Sequence, residues 1–403
     1  GLQGTVLGIR GGLEGFSPVQ LSYVMSGYFL GFLGGSKLTP VMIRRVGHVR
    51  VFAALGSLAS AAFILYAAFP DPAFWTVMRI VVGFCFSGVY VVSESWLNDA
   101  ATNETRGQAL SVYALTQTLG LLIAQASVNL GDIGGYIMFV AMSVLVSVSF
   151  APILLSVSPA PVFHTTKAMS LRALYDASPL GIVGIFLMGG VFASTFGMAS
   201  VYGAEIGMTV RQISIFVGLI YFGGLLTQYP IGWMSDRMGR RSLIIMLTGG
   251  AGIVMLLGSL VGPNVNVVYV MGLVVGAISM PMYSLLLAYT NDYLQPEDMA
   301  AASGGMIFIN GIGAVGAPIL QGWLMSNVST QAFFLFIAAL FLGIAAFGIF
   351  RTTQREALPV SDTATYAAVM PQGSPVLVEV AQEYAADIAA EAESEHETPK
   401  SST

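Results

Sequence analysis

The residues that can do chemistry are concentrated in one short stretch, GWMSDRMGRR at residues 232–241. It holds the carboxylate Asp236 and three arginines, Arg237, Arg240 and Arg241, although only 9% of the chain is charged. A carboxylate among guanidinium groups forms ion pairs and is also stabilised at a helix N-terminus. Arginines in such a loop bind anionic lipid headgroups as well. The stretch therefore predicts a charged connection between two elements that avoid water.

The sequence lacks the residues that several other kinds of chemistry require. Cys85 is the single cysteine, and the three histidines lie far apart in the sequence, at positions 48, 164 and 396. The sequence contains no metal-ligand spacing and no phosphate-binding GxxxxGK[ST] loop. It has no basic patch with interleaved aromatic residues, so no nucleic-acid partner is expected. We therefore expect no enzymatic activity, no cofactor and no metal.

The elements that position the charged stretch are apolar runs. Hydrophobic residues make up 55% of the chain, the mean hydropathy is +0.77, and runs of about 20 apolar residues recur. In lipid the backbone must satisfy its own hydrogen bonds, so these runs are predicted to be helices. Residues 1–10 resemble the end of one further helix whose beginning is missing from the chain. Eleven complete spans are predicted at 18–42, 50–69, 73–97, 107–130, 133–157, 179–206, 211–234, 242–262, 265–293, 299–325 and 331–350.

The distribution of basic residues predicts the orientation. One set of connections and the C-terminal tail hold eleven lysines and arginines, whereas the opposite set holds only Arg10 and Arg211. The basic side of a membrane protein faces the cytoplasm, so the stretch at 232–241 and the C-terminus are predicted to be cytoplasmic.

The C-terminal tail differs from the rest of the chain. Residues 356–403 contain one lysine and nine acidic residues, a composition typical of disorder. A weak helix from Ser374 to Glu391 is predicted inside it, and its apolar face comprises Leu377, Val380, Tyr384 and Ile388. The tail acts either as a solvated appendage or as an interaction arm.

The chain also repeats itself. A shift of 192 aligns GFSPVQLS (15–22) with GMTVRQIS (207–214), and each segment has a capping box that opens a helix. A shift of 193 aligns Asp99 with Asp292 and Tyr90 with Tyr283. The prediction is an all-α membrane protein of two six-helix halves. Its parts are an N-terminal half at 1–157 with a truncated first helix, a central loop at 158–178, a C-terminal half at 179–350 and a disordered acidic tail at 351–403.

The charged stretch matches the loop signature G-x-x-x-D-R-x-G-R-R of the major facilitator superfamily at every defined position, from Gly232 to Arg241. RIVVGFCFSG (79–88) resembles the fourth-helix signature of that family, and ESWLND is similar to a bacterial branch, the YcaD-like transporters. The resemblance implies the major facilitator fold and secondary active transport of a small molecule by alternating access. It also implies a monomer in the lipid bilayer of a bacterial inner membrane. The first half departs from the loop signature, because Arg44 stands at the Asp position.

The resemblance implies that the loop at 232–241 is a gate that latches one conformation. We expect Asp236 to lie at the N-terminus of the helix that begins near Met299, while Gly232 and Gly239 permit a tight turn and close helix approach. Arginines of the loop would pair with acidic residues of neighbouring loops. In the first half the candidate gate residues are Arg44, Arg45, Glu94 and Asp99, with Glu104 as a further acidic partner.

The candidate cavity residues lie deeper in the membrane. Arg79 either faces a central cavity, where it would hold an anionic substrate or a coupling carboxylate, or extends to the headgroups. The repeat-related amides Gln117 and Asn310 lie near the midplane, where they either face the substrate path or bridge neighbouring helices. Tyr90 and Tyr283 are the candidate aromatic walls. Coupling to protons stays open, because no carboxylate is predicted at the midplane.

A second function from a different class is a membrane sensor that resembles a transporter and signals through its acidic tail. Measuring uptake of a labelled substrate distinguishes the two functions.

Overall fold

The computed structural model describes residues 1–102, 105–155 and 169–356, together with tail residues 358–359, 363, 366, 369, 373–374, 376–378 and 380–381. Within these residues the chain forms thirteen α-helices and one short 3-10 helix at Val128–Leu130. The helices are α1 (Leu2–Leu13), α2 (Pro18–Val46), α3 (His48–Ala68), α4 (Pro72–Ala100), α5 (Arg106–Ser127), α6 (Ile137–Leu154), α7 (Leu171–Ala177), α8 (Pro179–Glu205), α9 (Val210–Ser235), α10 (Arg240–Val261), α11 (Val265–Asn291), α12 (Pro296–Asn327) and α13 (Ala332–Thr352).

The two predicted capping boxes begin α2 and α9. The Ser17 hydroxyl accepts the Gln20 N–H, and the Gln20 side chain accepts the Ser17 N–H. Thr209 and Gln212 make the same reciprocal pair before α9. Each box satisfies N–H groups that the first helical turn leaves without an internal partner. The repeated sequence signal therefore produces the same local structure in both halves.

Among the described residues, ten helices are long and apolar enough to cross a membrane. The helix α2 is not one of the ten, although its 29 residues are long enough to span the hydrocarbon core. The prediction misplaced one helix start and missed one short helix. The helix α6 begins at Ile137 rather than 133, because Asp132 accepts the Gly134 N–H in a preceding turn. The predicted central loop includes α7, whose N-terminus is capped by Ser170.

Close backbone contacts join α2 to α4 and α9 to α11. A Cβ atom added at Gly31 would overlap the carbonyl oxygen of Ile80, and one added at Gly83 would overlap that of Tyr28. In the second half, a Cβ atom added at Gly276 would overlap the carbonyl oxygen of Ile220. Small residues permit this approach, and packing of this kind stabilises helix pairs in lipid. The repeat-related glycines Gly83 and Gly276 thus have equivalent packing roles.

The helices α5 and α9, one from each half, touch at one end of the bundle and are separated at the other. We call the end that carries Arg44, Arg237 and Arg240 the basic face, and the other end the opposite face. Near the opposite face, Ser214 donates a hydrogen bond to the Gln125 carbonyl, and Asn129 donates one to Ser214 at 3.0 Å. At the basic face a cavity of about 660 Å³ separates α5 from α9. The structure is therefore closed at the opposite face and parted at the basic face.

Candidate functional site

A central cavity of about 440 Å³ lies between the two halves. This volume falls in the range of small-molecule sites. Its walls are rich in aromatic side chains from both halves, with a few polar groups between them. The aromatic lining residues are Tyr28, Phe29, Phe32, Phe63, Phe86, Tyr90, Phe192, Phe196 and Tyr221.

Arg79 lines this cavity and is 5% exposed. Its guanidinium group donates a hydrogen bond to the Gln3 side-chain oxygen at 2.9 Å and contacts the Met25 sulfur at 3.7 Å. It also lies over the Tyr28 ring, 4.7 Å from the centroid. Of the two orientations predicted from the sequence, the structure shows Arg79 turned toward the cavity rather than the membrane surface.

The other candidate cavity residues divide into two groups. Tyr90 and Asn310 line the cavity, and the Asn310 amide donates a hydrogen bond to the Ile185 carbonyl at 3.2 Å. Gln117 lies outside the described lining, and Tyr283 is 2% exposed in the packing of α11. Asn310 thus touches both the cavity and a neighbouring helix, so its two predicted roles are compatible.

The charged stretch is organised around Arg240. Its side chain is 1% exposed and forms an ion pair with Asp292, whose side chain is 2% exposed. Arg240 also donates to the Ser235 hydroxyl at 3.1 Å and to the Ala288 carbonyl at 3.2 Å. These contacts fix the end of α9 to the end of α11. A buried charge with an ionic partner and two neutral acceptors is well compensated.

Asp236 has different contacts from those predicted. Its carboxylate accepts the Tyr366 backbone N–H at 3.0 Å and lies 3.7 Å from Arg240. Among the contacts of the described residues, none joins Asp236 to the helix α12, which begins at Pro296 rather than Met299. The predicted contact of Asp236 with the start of α12 is therefore absent, and its carboxylate binds the tail at Tyr366 instead.

The two glycines of the stretch also differ from the prediction. Gly232 lies inside α9 rather than in a turn, and a Cβ atom there would come within 2.8 Å of the Tyr366 ring. Gly239 has a φ of −56°, and a Cβ atom there would meet nothing within 4 Å. The structure shows close approach at Gly232 but requires no glycine at position 239.

The remaining arginines of the stretch differ in environment. Arg237 is exposed and stacks on the Trp233 ring, 4.4 Å from the centroid. Arg241 is buried and donates to the Arg355 carbonyl at 2.5 Å and to the Glu356 carbonyl at 3.2 Å. Arg241 therefore attaches the segment after α13 to the bundle, and Arg237 is the one available to solvent or lipid.

The first-half candidates are arranged differently. Glu94 is 2% exposed, and its carboxylate accepts the Tyr113 hydroxyl at 2.7 Å and the Ser374 N–H at 2.8 Å. The described hydrogen bonds of Glu94 go to Tyr113 and Ser374, so pairing with Arg44 or Arg45 stays a prediction. Both arginines are exposed, as is Asp99. The further predicted partner at position 104 lies outside the described residues.

Part of the acidic tail lies inside the bundle. Gln228 donates to the Tyr366 hydroxyl at 3.2 Å, and Ser284 and Val369 exchange hydrogen bonds at 2.8 and 2.9 Å. Burial raises the pKa of the Tyr366 hydroxyl above its ordinary value. Leu377 and Val380 are buried and have helical backbone. These tail residues are packed, in contrast to the predicted solvated disorder, and Tyr366, Val369 and Leu377 line the basic-face cavity.

The rest of the tail prediction concerns residues outside the described set, including Tyr384 and Ile388 of the predicted helix face. The described residues contact α4 in the first half and α9 and α11 in the second half. The tail thus bridges the halves at the face where they are parted.

Sequence reasoning missed two pairs of repeat-related residues. Phe29 and Tyr221 both line the cavity, and each stands twelve residues after its capping residue, Ser17 or Thr209. The aligned stretches also place His48 at the position of Arg240. His48 and Asp99 thus stand at the repeat positions of Arg240 and Asp292, the buried ion pair of the second half. The shift between the repeats was the signal that would have found both pairs.

Comparison with known proteins gives a consistent result. The model of the Major Facilitator Superfamily matches residues 7–213 and 180–381. The uncharacterized MFS-type transporter YcaD of Escherichia coli is 24% identical over 331 residues, covering 81% of this chain and 85% of the relative. Among solved structures, nucleoside transporter NupG has a TM-score of 0.68 at 14% identity, covering 88% of this chain and 94% of that one. A D-xylose-proton symporter has a TM-score of 0.65 at 15% identity, covering 86% and 92%.

Proposed function

The chain belongs to the major facilitator superfamily, and from this premise we propose that it moves a small molecule across the bacterial cytoplasmic membrane by alternating access. The predicted family and fold are confirmed by the family model and by the structural neighbours. The observation that carries the proposal is the central cavity between the two halves, lined from both sides at the bundle centre. A site between two repeats is where such folds bind their substrates.

The contacts between the halves support alternating access. The halves are joined near the opposite face by Gln125, Asn129 and Ser214, and parted at the basic face. The basic face is the cytoplasmic one in this proposal, since basic loops stay inside. The structure then represents a state open toward the cytoplasm.

We assign proton coupling to Glu94 within the same proposal. One structural neighbour is a proton symporter, and Glu94 is a buried carboxylate between α4, α5 and the tail. Protonation would weaken its acceptance of the Tyr113 and Ser374 hydrogen bonds, since charged acceptors make the stronger bonds. Uptake of a labelled substrate into proteoliposomes under an imposed pH gradient tests this assignment. The gradient should accelerate uptake by the unmodified protein and should not change uptake by Glu94→Gln.

The test of alternating access uses two pairs of spin labels in a Cys85→Ser background, because Cys85 is the single native cysteine. One pair is placed at Leu115 and Tyr229, exposed residues of α5 and α9 beside the basic-face cavity. The other pair is placed at Leu130 and Arg211 near the opposite face. Alternating access predicts two populations in which one distance shortens as the other lengthens. Two fixed distances under all ligand conditions would refute it.

The tail contacts favour the sensor as the second candidate. Tail residues bind both halves, so the position of the tail depends on the arrangement of the halves. A sensor predicts that the tail is displaced upon ligand binding without net flux. Measuring both release of the tail and accumulation of labelled ligand in proteoliposomes separates this candidate from the transporter.

A further inference from the structure

The central cavity contains a buried cation whose described partners are all neutral. Arg79 lies eight residues into α4, about 10 Å along the helix axis, and is 5% exposed. Removing a charge from water costs several kcal/mol unless another charge compensates it. Ionisable residues at such depth are therefore a signal of function.

The contacts of Arg79 leave part of its hydrogen-bonding capacity unused. Its partners are the Gln3 oxygen, the Met25 sulfur and the Tyr28 ring, and none of them carries a charge. Among the described residues, no carboxylate lies within ion-pair distance of Arg79. The Nε atom of Arg79 and the Nε2 atom of Gln3 are buried without a partner. A guanidinium group has five N–H donors arranged to match a planar anion.

The other described side chains of the cavity wall are uncharged. Arg79 is the one charged side chain among the described lining residues, and most of the lining is apolar or aromatic. Tyr28, Phe192 and Phe196 stand on the walls around the cavity. Aromatic walls favour a flat or apolar body, and they offer no charge to hold a cationic group of the ligand. The single charge of Arg79 therefore matches a ligand that carries one negative charge.

We propose that the substrate is a small organic monoanion, a carboxylate on an apolar or aromatic body, and that Arg79 binds its carboxylate. This inference rests on the proposed function, because it names the class of molecule that occupies the transport cavity. The carboxylate accepts hydrogen bonds from the N–H groups of Arg79 and from the free amide N–H of Gln3, and the apolar body lies against the aromatic walls. A zwitterion is disfavoured, since its ammonium group would find no carboxylate on the described lining.

Matched pairs of probes test the charge requirement. The purified full chain is heated in detergent with benzoate or benzamide, and with 2-naphthoate or 2-naphthamide, over a range of concentrations. A ligand that binds the folded state raises the unfolding midpoint, and the increase grows with the ratio of ligand concentration to Kd. We expect at least one carboxylate to stabilise the protein and its amide of equal shape to bind about 30-fold more weakly or worse. Equal stabilisation by acid and amide would overturn the proposal.

Variants locate the binding group. Arg79→Gln should remove the difference between acid and amide, whereas Arg79→Lys should keep a weaker preference for the acid because the charge remains without the planar fork. The matched control is Lys37→Gln, which removes an exposed cation that stacks on Phe308 and lies outside the described lining. It should bind the acids normally. Persistence of acid binding in Arg79→Gln would refute the assignment, and Arg79→Lys serves as the decisive variant if Arg79→Gln does not fold.

Flux measurements keep this inference separate from the proposed function. Arg79-dependent acid binding without accumulation of labelled benzoate or 2-naphthoate in proteoliposomes would support the anion site and contradict transport. Accumulation of a neutral or cationic compound, with no recognition of the acids, would support transport and overturn the anion site.

Discussion

The buried ion pair between Arg240 and Asp292 should be the most sensitive electrostatic contact of the charged stretch. Asp292→Asn keeps the shape of the side chain but removes its charge, leaving Arg240 buried with the Ser235 hydroxyl and the Ala288 carbonyl among its described acceptors. Both side chains of the pair are nearly inaccessible to water, with exposures of 1% and 2%. Water therefore cannot replace the lost carboxylate.

The magnitude follows from this burial. Removing one partner of a buried ion pair costs about 3–5 kcal/mol, mostly because the other charge is left uncompensated. That corresponds to a loss of about 100- to 4,000-fold in the folding equilibrium constant, at 1.4 kcal/mol per tenfold. Asp236→Asn is the control, since the Asp236 side chain is 37% exposed and 3.7 Å from the same arginine. An exposed pair contributes only about 0–1 kcal/mol.

Reversible unfolding of the purified protein in mixed micelles measures these free energies. The single variants Arg240→Met and Asp292→Leu complete a double-mutant cycle with the variant that carries both changes. The double variant should be more stable than Asp292→Asn alone, because no buried charge remains without a partner. If Asp292→Asn loses less than about 1 kcal/mol, or if the double variant loses the sum of its single changes, the reasoning from burial is refuted.

Further predictions concern packing, the tail and the first half. Gly31→Val should lower the free energy of unfolding by about 1–3 kcal/mol, because the valine side chain must push α4 away. The control Gly250→Val should not, because a Cβ atom at that position meets nothing within 4 Å. Equal losses in thermal unfolding would contradict the close helix contact. Ser374→Pro removes the backbone N–H that donates a hydrogen bond to the buried Glu94 carboxylate, an interaction worth about 1.5–3 kcal/mol. Because this releases the tail, maleimide labelling of a cysteine introduced in the basic-face cavity should rise by about tenfold or more. Unchanged labelling would show that the tail does not cover the cavity. His48→Arg should leave stability unchanged or raise it by up to about 1 kcal/mol, because the new arginine can pair with Asp99 as Arg240 pairs with Asp292. A clear drop in the unfolding midpoint would show that the repeats differ at this position.

The sequence alone was enough for the features that depend on local composition. Span lengths follow from the thickness of the hydrocarbon core, and capping boxes depend on four consecutive residues, so the starts of α2 and α9 were predictable. The shift of about 192 residues determined the two halves, because equal sequence patterns fold into equal helix pairs. The glycine contacts of Gly83 and Gly276 are consistent with this symmetry.

Only the tertiary structure decided which polar groups meet. Gln117 and Asn310 are related by the repeat, yet Asn310 lines the cavity and Gln117 does not. Helices that are apolar nearly all round carry no hydropathy signal for their rotation, so packing against neighbours sets which side chain faces inward. Asp236 contacts Tyr366 of the tail, a residue 130 positions away, and Glu94 contacts Ser374 across 280 positions. Such contacts depend on how the two halves are separated in a given state, and no local pattern encodes that separation.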